Sequence, residues 1–180
     1  MLVLLGWSAS GKDTIQKHLI KEYGMNNVIS YTTRPKRDYE QDGVDYHFIS
    51  EEDFKELDSK GFFAETTSYI MAGNHKVYYG SAVKDLSDDK VTILNPEGFR
   101  QLKKCKSLKI MSFLIDCPKE ELIKRLKKRG DKEEEYSRRL LADEKDFWGV
   151  NEEVDYIVKN DGSSDIEKVA DTIYRSYKGE

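Results

Sequence analysis

The sequence predicts an α/β fold in which a parallel sheet carries helices on both faces. The first observation is that an apolar run of strand length, residues 1–5, continues directly into a glycine-rich segment and a helix. The second is that, after residue 81, apolar runs of strand length alternate with amphipathic helical segments. The third is the length, because 180 residues suffice for one well-buried domain and are too few for two of ordinary size.

Residues 6–14 have the spacing G-x-x-x-x-G-K of a phosphate-binding loop. Backbone N–H groups of such a loop surround a polyphosphate, and the helix that follows directs its positive end at the phosphates. The strand before the loop and a helix at 15–23 after it provide the context that the motif needs. An ordinary glycine-containing turn is the alternative. The residues expected to contact a nucleotide phosphate chain are Gly6, Ser8, Ala9, Ser10, Gly11, Lys12, Asp13 and Thr14.

A small and mostly β region is predicted beside the main sheet, over residues 30–81. Alternating apolar and polar residues indicate strands, Pro35 interrupts a polar loop, and Ser50 followed by acidic residues is typical of a helix start. The expected elements are strands at 26–30, 45–50, 62–70 and 76–80, a polar loop at 31–43, a helix at 50–57 and a turn at 72–74.

The alternation of strand and helix resumes at residue 81. Pro96 and Pro118 stand at the beginnings of two helices, and Gly130 follows the second of them. The expected helices are at 81–86, 96–104, 117–130, 131–148 and 163–177, and the expected strands are at 91–95, 108–115 and 154–160. In a parallel sheet of this kind, ligands bind at the carboxyl ends of the strands.

The composition restricts the kind of ligand. The net charge of −4, from 34 acidic and 30 basic residues, gives no general attraction to nucleic acid or to a membrane, so an anion site has to be local. Arginines cluster at 34–37, 125–129 and 138–139, and the planar guanidinium binds phosphate in a bidentate manner. We expect no nucleic-acid or membrane partner and no obligate protein partner.

The two cysteines, Cys105 and Cys117, show neither metal-ligand spacing nor redox-pair spacing. A reduced compartment is the natural interpretation, and we therefore expect a cytoplasmic protein. Residues 1–5 are too few for the apolar part of a signal peptide or for a membrane span.

Four segments between residues 30 and 82 resemble the nucleoside-monophosphate site of the guanylate kinase family. They are SYTTRPKR (30–37), DGVDYHFIS (42–50), FFAETTSY (62–69) and YYGSA (78–82). The resemblance extends over nearly the whole chain, from the phosphate loop through RLKKRG (125–130) to VKND (158–161). It implies a kinase that converts ATP and GMP into ADP and GDP with Mg²⁺ as cofactor. It also implies one domain, 1–180, with a core (1–29, 82–124, 149–180), a GMP-binding insertion (30–81) and a helical lid (125–148).

The resemblance assigns Glu65 to the guanine base, together with Ser30 and Ser81. One carboxylate can accept hydrogen bonds from both N1–H and N2–H of guanine, and serine hydroxyls can donate to O6 and N7. Adenine lacks these donors, so it would leave a buried carboxylate unpaired. The alternative is that Glu65 is an exposed strand carboxylate.

The remaining roles follow from the same resemblance. The residues expected to bind the monophosphate are Arg34, Arg37, Tyr46 and Tyr79. The residues expected to neutralise the transferring phosphoryl group are Lys12 and the lid arginines Arg125, Arg129 and Arg139, because phosphoryl transfer is mostly positioning and charge neutralisation. Arg138 is the alternative to Arg139. Asn160 is expected beside the adenine of ATP, although Asn-Asp-Gly is also a good turn sequence.

Three positions depart from the family pattern. Asp13 replaces a Ser whose hydroxyl would contact magnesium, and a carboxylate there can bind Mg²⁺ but would repel the phosphates without the ion. Asn95, an expected substrate contact, stands where the family usually has Asp, and Trp7 replaces Pro. These departures predict a larger effect on turnover than on binding. The alternative is a guanylate-kinase-like module that binds GMP or a phosphorylated partner with weak or no catalysis, and dGMP is an alternative substrate.

Overall fold

The computed structural model describes residues 1–71, 75–163 and 165–180. The strands are β1 (Leu2–Leu5), β2 (Asn26–Asn27), β3 (Tyr31–Thr32), β4 (His47–Phe48), β5 (Phe63–Met71), β6 (His75–Ala82), β7 (Lys90–Ile93), β8 (Met111–Asp116) and β9 (Tyr156–Lys159). The helices are α1 (Lys12–Tyr23), α2 (Glu51–Ser59), α3 (Pro96–Leu102), α4 (Lys119–Arg129), α5 (Glu133–Asp146) and α6 (Ile166–Lys178).

Strand β1 lies at the centre of a five-stranded parallel sheet with the order β2-β7-β1-β8-β9. Its side chains alternate between two hydrophobic clusters: Leu2 and Leu4 pack with α1 and α6, whereas Val3 and Leu5 pack with α3. All four side chains are fully buried, so burial of apolar surface holds helices against both faces of the sheet. The predicted fold class is therefore confirmed.

A second sheet has four strands in the order β4-β3-β6-β5, so that β5 lies at an edge. Strands β5 and β6 form a long antiparallel pair in which Glu65 lies opposite Ser81. Strand β3 runs antiparallel to β6 and parallel to β4. This sheet carries several of the predicted site residues on its strands and on the segments that join them.

Strand β3 lies at the start of the segment that we expected to be a polar loop, so that expectation is wrong for Tyr31–Thr32. Thr32 is buried, and its hydroxyl donates to the carbonyl of Tyr78 at 2.9 Å. A strand of two residues is too short for the hydrophobic period to reveal it. For the same reason the strands predicted at 26–30 and 45–50 are in fact the short β2 and β4.

The helix predicted at 81–86 is also wrong in its first part. Ser81 and Ala82 continue β6, and only Val83–Asp85 form a short 3₁₀ turn. Both residues are buried and pair with β5, so tertiary contacts outweigh the local helical pattern. The turn predicted at 72–74 lies outside the described residues.

Helices α4 and α5 bury a third apolar cluster of their own. The cluster contains Leu122, Leu126, Tyr136 and Leu140, and Trp7 of the phosphate loop packs against it. The two helices are thereby held next to the loop that follows β1. Within the described ranges, every helix is too short or too polar to cross a membrane.

Candidate nucleotide-binding site

The phosphate loop connects β1 to α1 at the carboxyl end of the central strand. Gly6 and Gly11 adopt φ angles of 150° and 101°, a region that favours glycine. A Cβ atom on Gly11 would lie 2.5 Å from Nδ2 of Asn160, so the loop also needs glycine for space. Gly11 caps α1 without a side-chain hydrogen bond to its first N–H groups. The loop therefore presents backbone N–H groups and a helix N-terminus to an anion.

The ammonium group of Lys12 folds back onto this loop. Its Nζ donates to the carbonyl oxygens of Gly6 at 2.7 Å and Trp7 at 2.8 Å. Burial lowers the pKa of Lys12, while the carboxylates of Asp13 and Asp143 act in the opposite direction. The side chain of Lys12 is thus held at the loop by backbone carbonyls.

A cavity of about 960 Å³ lies between the phosphate loop, the second sheet and α5. Binding pockets for small molecules usually measure about 300–1,000 Å³, so this cavity has room for a nucleotide. The predicted site residues that line it are Gly6, Ser8, Lys12, Ser30, Arg34, Arg37, Tyr46, Glu65, Tyr79, Asn95 and Arg139.

A second cavity adjoins the start of α1. The predicted site residues that line it are Ala9, Gly11, Asp13, Thr14, Ser30, Arg37, Tyr46, Arg125 and Arg129. Ser30, Arg37 and Tyr46 border both cavities, so the two spaces meet at these side chains. An arrangement of two neighbouring cavities around one phosphate loop can hold two phosphorylated ligands.

Glu65 lies on the wall of the first cavity and is only 4% exposed. Burial raises the pKa of its carboxyl to about 6, and hydrogen bonds from Ser81 oppose this shift. The hydroxyl oxygens of Ser30 and Ser81 lie 3.2 Å apart, so Ser30 adjoins the serine that contacts the carboxylate. The alternative of an exposed strand carboxylate is therefore wrong.

Arg34 is held in a buried ion pair that the sequence analysis did not foresee. Its two terminal nitrogens donate to the carboxylate of Glu40 at 2.6 and 2.9 Å, and its Nε donates to the hydroxyl of Tyr79 at 3.1 Å. Each side chain of the ion pair is 6% exposed. The hydrogen bonds to Glu40 raise the pKa of Arg34, and Arg34 lowers the pKa of Glu40. The sequence places Glu40 near two arginines, but only the fold shows which arginine it contacts.

Arg37 and Tyr46 face the junction of the two cavities. The guanidinium of Arg37 donates to the hydroxyl of Tyr39 at 2.9 Å, and its backbone N–H donates to Glu40 at 2.8 Å. Burial raises the pKa of Tyr46, so its hydroxyl stays protonated and can donate a hydrogen bond at neutral pH.

The arginines of α4 and α5 differ in what they contact. Arg125 donates to the carbonyls of Ala9, Ser10 and Asn160, so it supports the phosphate loop. Arg129 pairs with Asp131, which lies 3.7 Å from Arg139. Arg138 and Arg139 both pair with Glu135, and both line the first cavity. The expectation that Arg139, or alternatively Arg138, contacts the transferring phosphoryl group stays a prediction.

Three predicted residues lie behind the cavity walls. Ser10, Ser81 and Asn160 are fully buried, and Asn160 donates from Nδ2 to the carbonyl of Ser10 at 2.7 Å. Asn160 therefore supports the phosphate loop, and its predicted contact with adenine stays a prediction. Asn95 lines the first cavity and also begins α3, because its side chain accepts the N–H of Gly98 at 2.9 Å.

Asp143 on α5 is a further residue of the site that the sequence analysis missed. Its carboxylate accepts the backbone N–H of Ser8 at 2.7 Å, and it lines the first cavity. Burial raises the pKa of Asp143, with the hydrogen bonds from Ser8 acting in the opposite direction. In the sequence Asp143 is one of many charged residues on a helix, and no local signal distinguishes it.

The main sheet is parallel and has a phosphate loop after its central strand, with two adjoining cavities and several arginines around that loop. These features are typical of a P-loop phosphotransferase. The family model described as guanylate kinase matches residues 1–176. The guanylate kinase of Desulfotalea psychrophila is 34% identical over 169 residues, covering 89% of this chain and 81% of that protein. The guanylate kinase of Onion yellows phytoplasma is 32% identical over 189 residues, covering 100% and 85%. The chain belongs to the guanylate kinase family.

The fold agrees with that assignment. The crystal structure of guanylate kinase from Anaplasma phagocytophilum superimposes with a TM-score of 0.72 and covers 99% of this chain and 84% of that one. The sequence identity of this pair is 24%, so this likeness shows the shared fold. As a member of this family, the chain is a kinase that uses ATP.

Proposed function

We propose that the chain transfers the γ-phosphoryl group of ATP to GMP in the site described above, giving ADP and GDP. The single observation that carries this proposal is the buried carboxylate of Glu65, which lies with Ser30 and Ser81 beside a cavity that Lys12 also lines. Ser81 satisfies part of this carboxylate, and its remaining lone pairs favour a ligand that supplies hydrogen-bond donors, because incompletely paired buried charge is costly. The N1–H and N2–H groups of guanine supply them.

The monophosphate of GMP would lie near Arg37, Tyr46 and Tyr79. Arg34 directs most of its donors at Glu40, Tyr79 and the carbonyl of Pro35, so its role is to orient Tyr79 as well as to contribute charge. In the described part of the chain, the guanidinium of Arg37 forms no ion pair with a carboxylate, so its charge is available to a phosphate. Arg37 is therefore a stronger phosphate ligand than Arg34.

ATP would bind with its phosphates on the loop and extend into the second cavity. Lys12 would exchange its bonds to Gly6 and Trp7 for phosphate oxygens, and Arg129 with Arg138 or Arg139 would neutralise the transferring group. Arg125 and Asn160 would act through the loop that they support.

Mg²⁺ fits the donors that the loop offers. Among the described residues, no three His, Cys, Asp or Glu side chains are grouped around a possible metal. Mg²⁺ is commonly held by one or two carboxylates with water and substrate phosphates, so the exposed Asp13 carboxylate and the Thr14 hydroxyl suffice. When bound, the ion would neutralise negative charge that develops on the phosphate oxygens.

The same assignment gives each region a role. The insertion (residues 30–81) binds GMP, and the lid (residues 125–148) supplies arginines. The core carries the ATP site. Both cysteines are free thiols, which supports a reducing and cytoplasmic environment. The alternative of a binding module without catalysis is not favoured, because Lys12 and the whole phosphate loop are retained.

A coupled assay of ADP release with GMP, dGMP, AMP and UMP as acceptors tests the proposal. We expect turnover with GMP, none above background with UMP, and at least about a hundredfold lower kcat/KM with AMP because its edge leaves Glu65 unpaired. The comparison of GMP with dGMP measures the contribution of the 2′-hydroxyl. Binding of GMP without any ADP release would support the binding module, and equal rates with AMP would contradict the assigned guanine site.

A further inference from the structure

Helix α3 packs one face against β5, the strand that carries Glu65. Phe99 and Leu102 of the same helix are buried in the hydrophobic cluster under the main sheet. Gly98 and Gln101, one turn apart, lie on the face toward β5. The helix therefore connects the core of the protein to the strand that holds the guanine-recognising carboxylate.

Gln101 takes the place of a neighbouring strand at the outer edge of β5. Its Oε1 accepts the backbone N–H of Thr66 at 2.9 Å, and its Nε2 donates to the carbonyl of Thr66 at 2.8 Å. Thr66 follows Glu65 directly. Among the described residues, β6 is the only strand that pairs with β5, and it lies on the other side. Both backbone groups of this edge residue are thus fixed by one side chain.

Gly98 leaves the space that the Glu65 carboxylate occupies. A Cβ atom at this position would lie 2.7 Å from Oε2 of Glu65 and 3.3 Å from Cγ2 of Thr67. Gly98 is buried in the first turn of α3, and its N–H donates to the side chain of Asn95, which restrains the backbone at this position. A side chain at position 98 would displace the carboxylate.

We infer that Gly98 and Gln101 are positioning residues that determine base selectivity, because together they fix where the Glu65 carboxylate meets the base. The inference rests on the proposed contact between Glu65 and guanine. A carboxylate accepts N1–H and N2–H together only when both oxygens are aligned, and hydrogen bonds weaken steeply as their angles deteriorate. A displacement of about 1 Å is enough to degrade a site of this kind.

Inosine monophosphate provides the sharpest comparison, because it retains N1–H and lacks the exocyclic N2 amine of GMP. A correctly placed carboxylate favours GMP over inosine monophosphate through that second hydrogen bond. In Gln101→Leu and Gly98→Ala we expect the ratio of kcat/KM for the two substrates to fall about tenfold, the equivalent of one hydrogen bond to a charged group. The loss should appear in KM for GMP, while KM for ATP and kcat at saturating GMP change little.

The experiment measures both substrates with the unmodified chain, Glu65→Gln, Gln101→Leu, Gly98→Ala and the double variant Glu65→Gln/Gln101→Leu. Arg100→Ala is the matched control, because Arg100 lies on the same helix and forms an exposed ion pair with Glu153. Thermal unfolding and KM for ATP report whether each variant is folded. If Gly98→Ala does not fold, Gln101→Leu and the double variant decide the question.

A coupled effect supports the inference. Gln101→Leu then lowers the ratio of kcat/KM for GMP to that for inosine monophosphate in the unmodified chain, and it has no further effect on this ratio in the Glu65→Gln background. A purely structural role would reduce kcat/KM for both nucleotides alike and leave their ratio unchanged, and that result overturns the inference. Arg100→Ala should leave both values close to those of the unmodified chain. If Glu65→Gln itself leaves the ratio unchanged, the proposed guanine contact fails instead.

Discussion

The phosphate loop and the second sheet are built to recognise ligands in different ways. The loop uses backbone N–H groups and two glycines with positive φ, within a few consecutive residues. The second sheet uses side chains from β5, β6 and the segments around β3, supported by α3. The loop is therefore a local structure, whereas the proposed guanine site forms only once distant segments have packed together.

The first prediction separates the two regions by function. Lys12→Ala should lower kcat by at least about a thousandfold, because it removes the cation that neutralises the transferring phosphoryl group. GMP affinity should survive, since the assigned GMP contacts lie on the second sheet. A coupled ADP-release assay and calorimetry with GMP measure the two quantities. An equal loss of GMP affinity would show that the regions do not act separately.

The second prediction concerns stability. Glu40→Gln should lower the free energy of unfolding by about 3 kcal/mol, because it leaves the charge of Arg34 buried without its partner. The matched control is Glu153→Gln, which breaks the exposed pair with Arg100 and should cost less than about 1 kcal/mol. Urea unfolding of both variants checks the difference. Equal small losses would mean that the buried pair is not needed to hold the second sheet.

The third prediction tests the charge of Glu65. Glu65→Gln should weaken GMP binding by about 1.5–3 kcal/mol, because a neutral amide accepts one hydrogen bond and turns its NH₂ toward the other donor. Calorimetry with GMP measures the loss. An unchanged affinity would remove Glu65 from the guanine site, and unfolding in urea shows whether the variant is otherwise intact.

The pH dependence of GMP binding is the fourth prediction. Burial raises the pKa of the Glu65 carboxyl to about 6, and guanine favours the ionised form. Affinity is therefore present above pH 6 and is lost as the pH falls through 6, by about tenfold at pH 5. The monophosphate also titrates near pH 6, so Glu65→Gln is the control that retains only the phosphate titration. Identical profiles for both proteins would contradict a titrating Glu65.

The smallest expected effect is at Asp13, in the phosphate loop. If its carboxylate contributes to Mg²⁺ binding, Asp13→Ser should strengthen ATP binding without metal and make the affinity depend less steeply on Mg²⁺. If Asp13 only favours the N-terminus of α1, the variant loses about 0.3–1 kcal/mol of stability and the metal dependence is unchanged. Calorimetry with and without Mg²⁺, together with thermal unfolding, distinguishes the two results.

The same contrast explains what could be predicted from the sequence. The spacing of the phosphate loop and the run of residues 1–5 are local signals, and the structure follows them. Strand β3, the extension of β6 through Ala82 and the partners of Arg34 depend on contacts between segments that are far apart in the chain. The family resemblance assigns Glu65 to the guanine base. The burial of Glu65 and its support by Gly98 and Gln101 appear only in the folded protein.

The contact between Asp143 and Ser8 has a thermodynamic consequence for α5. The carboxylate of Asp143 already accepts the N–H group of Ser8, so a phosphate that binds this N–H group must displace Asp143. Linkage is reciprocal: by whatever factor release of Asp143 strengthens phosphate binding, bound phosphate favours release of α5 by the same factor. The position of α5 and the binding of phosphate at the loop are therefore thermodynamically coupled.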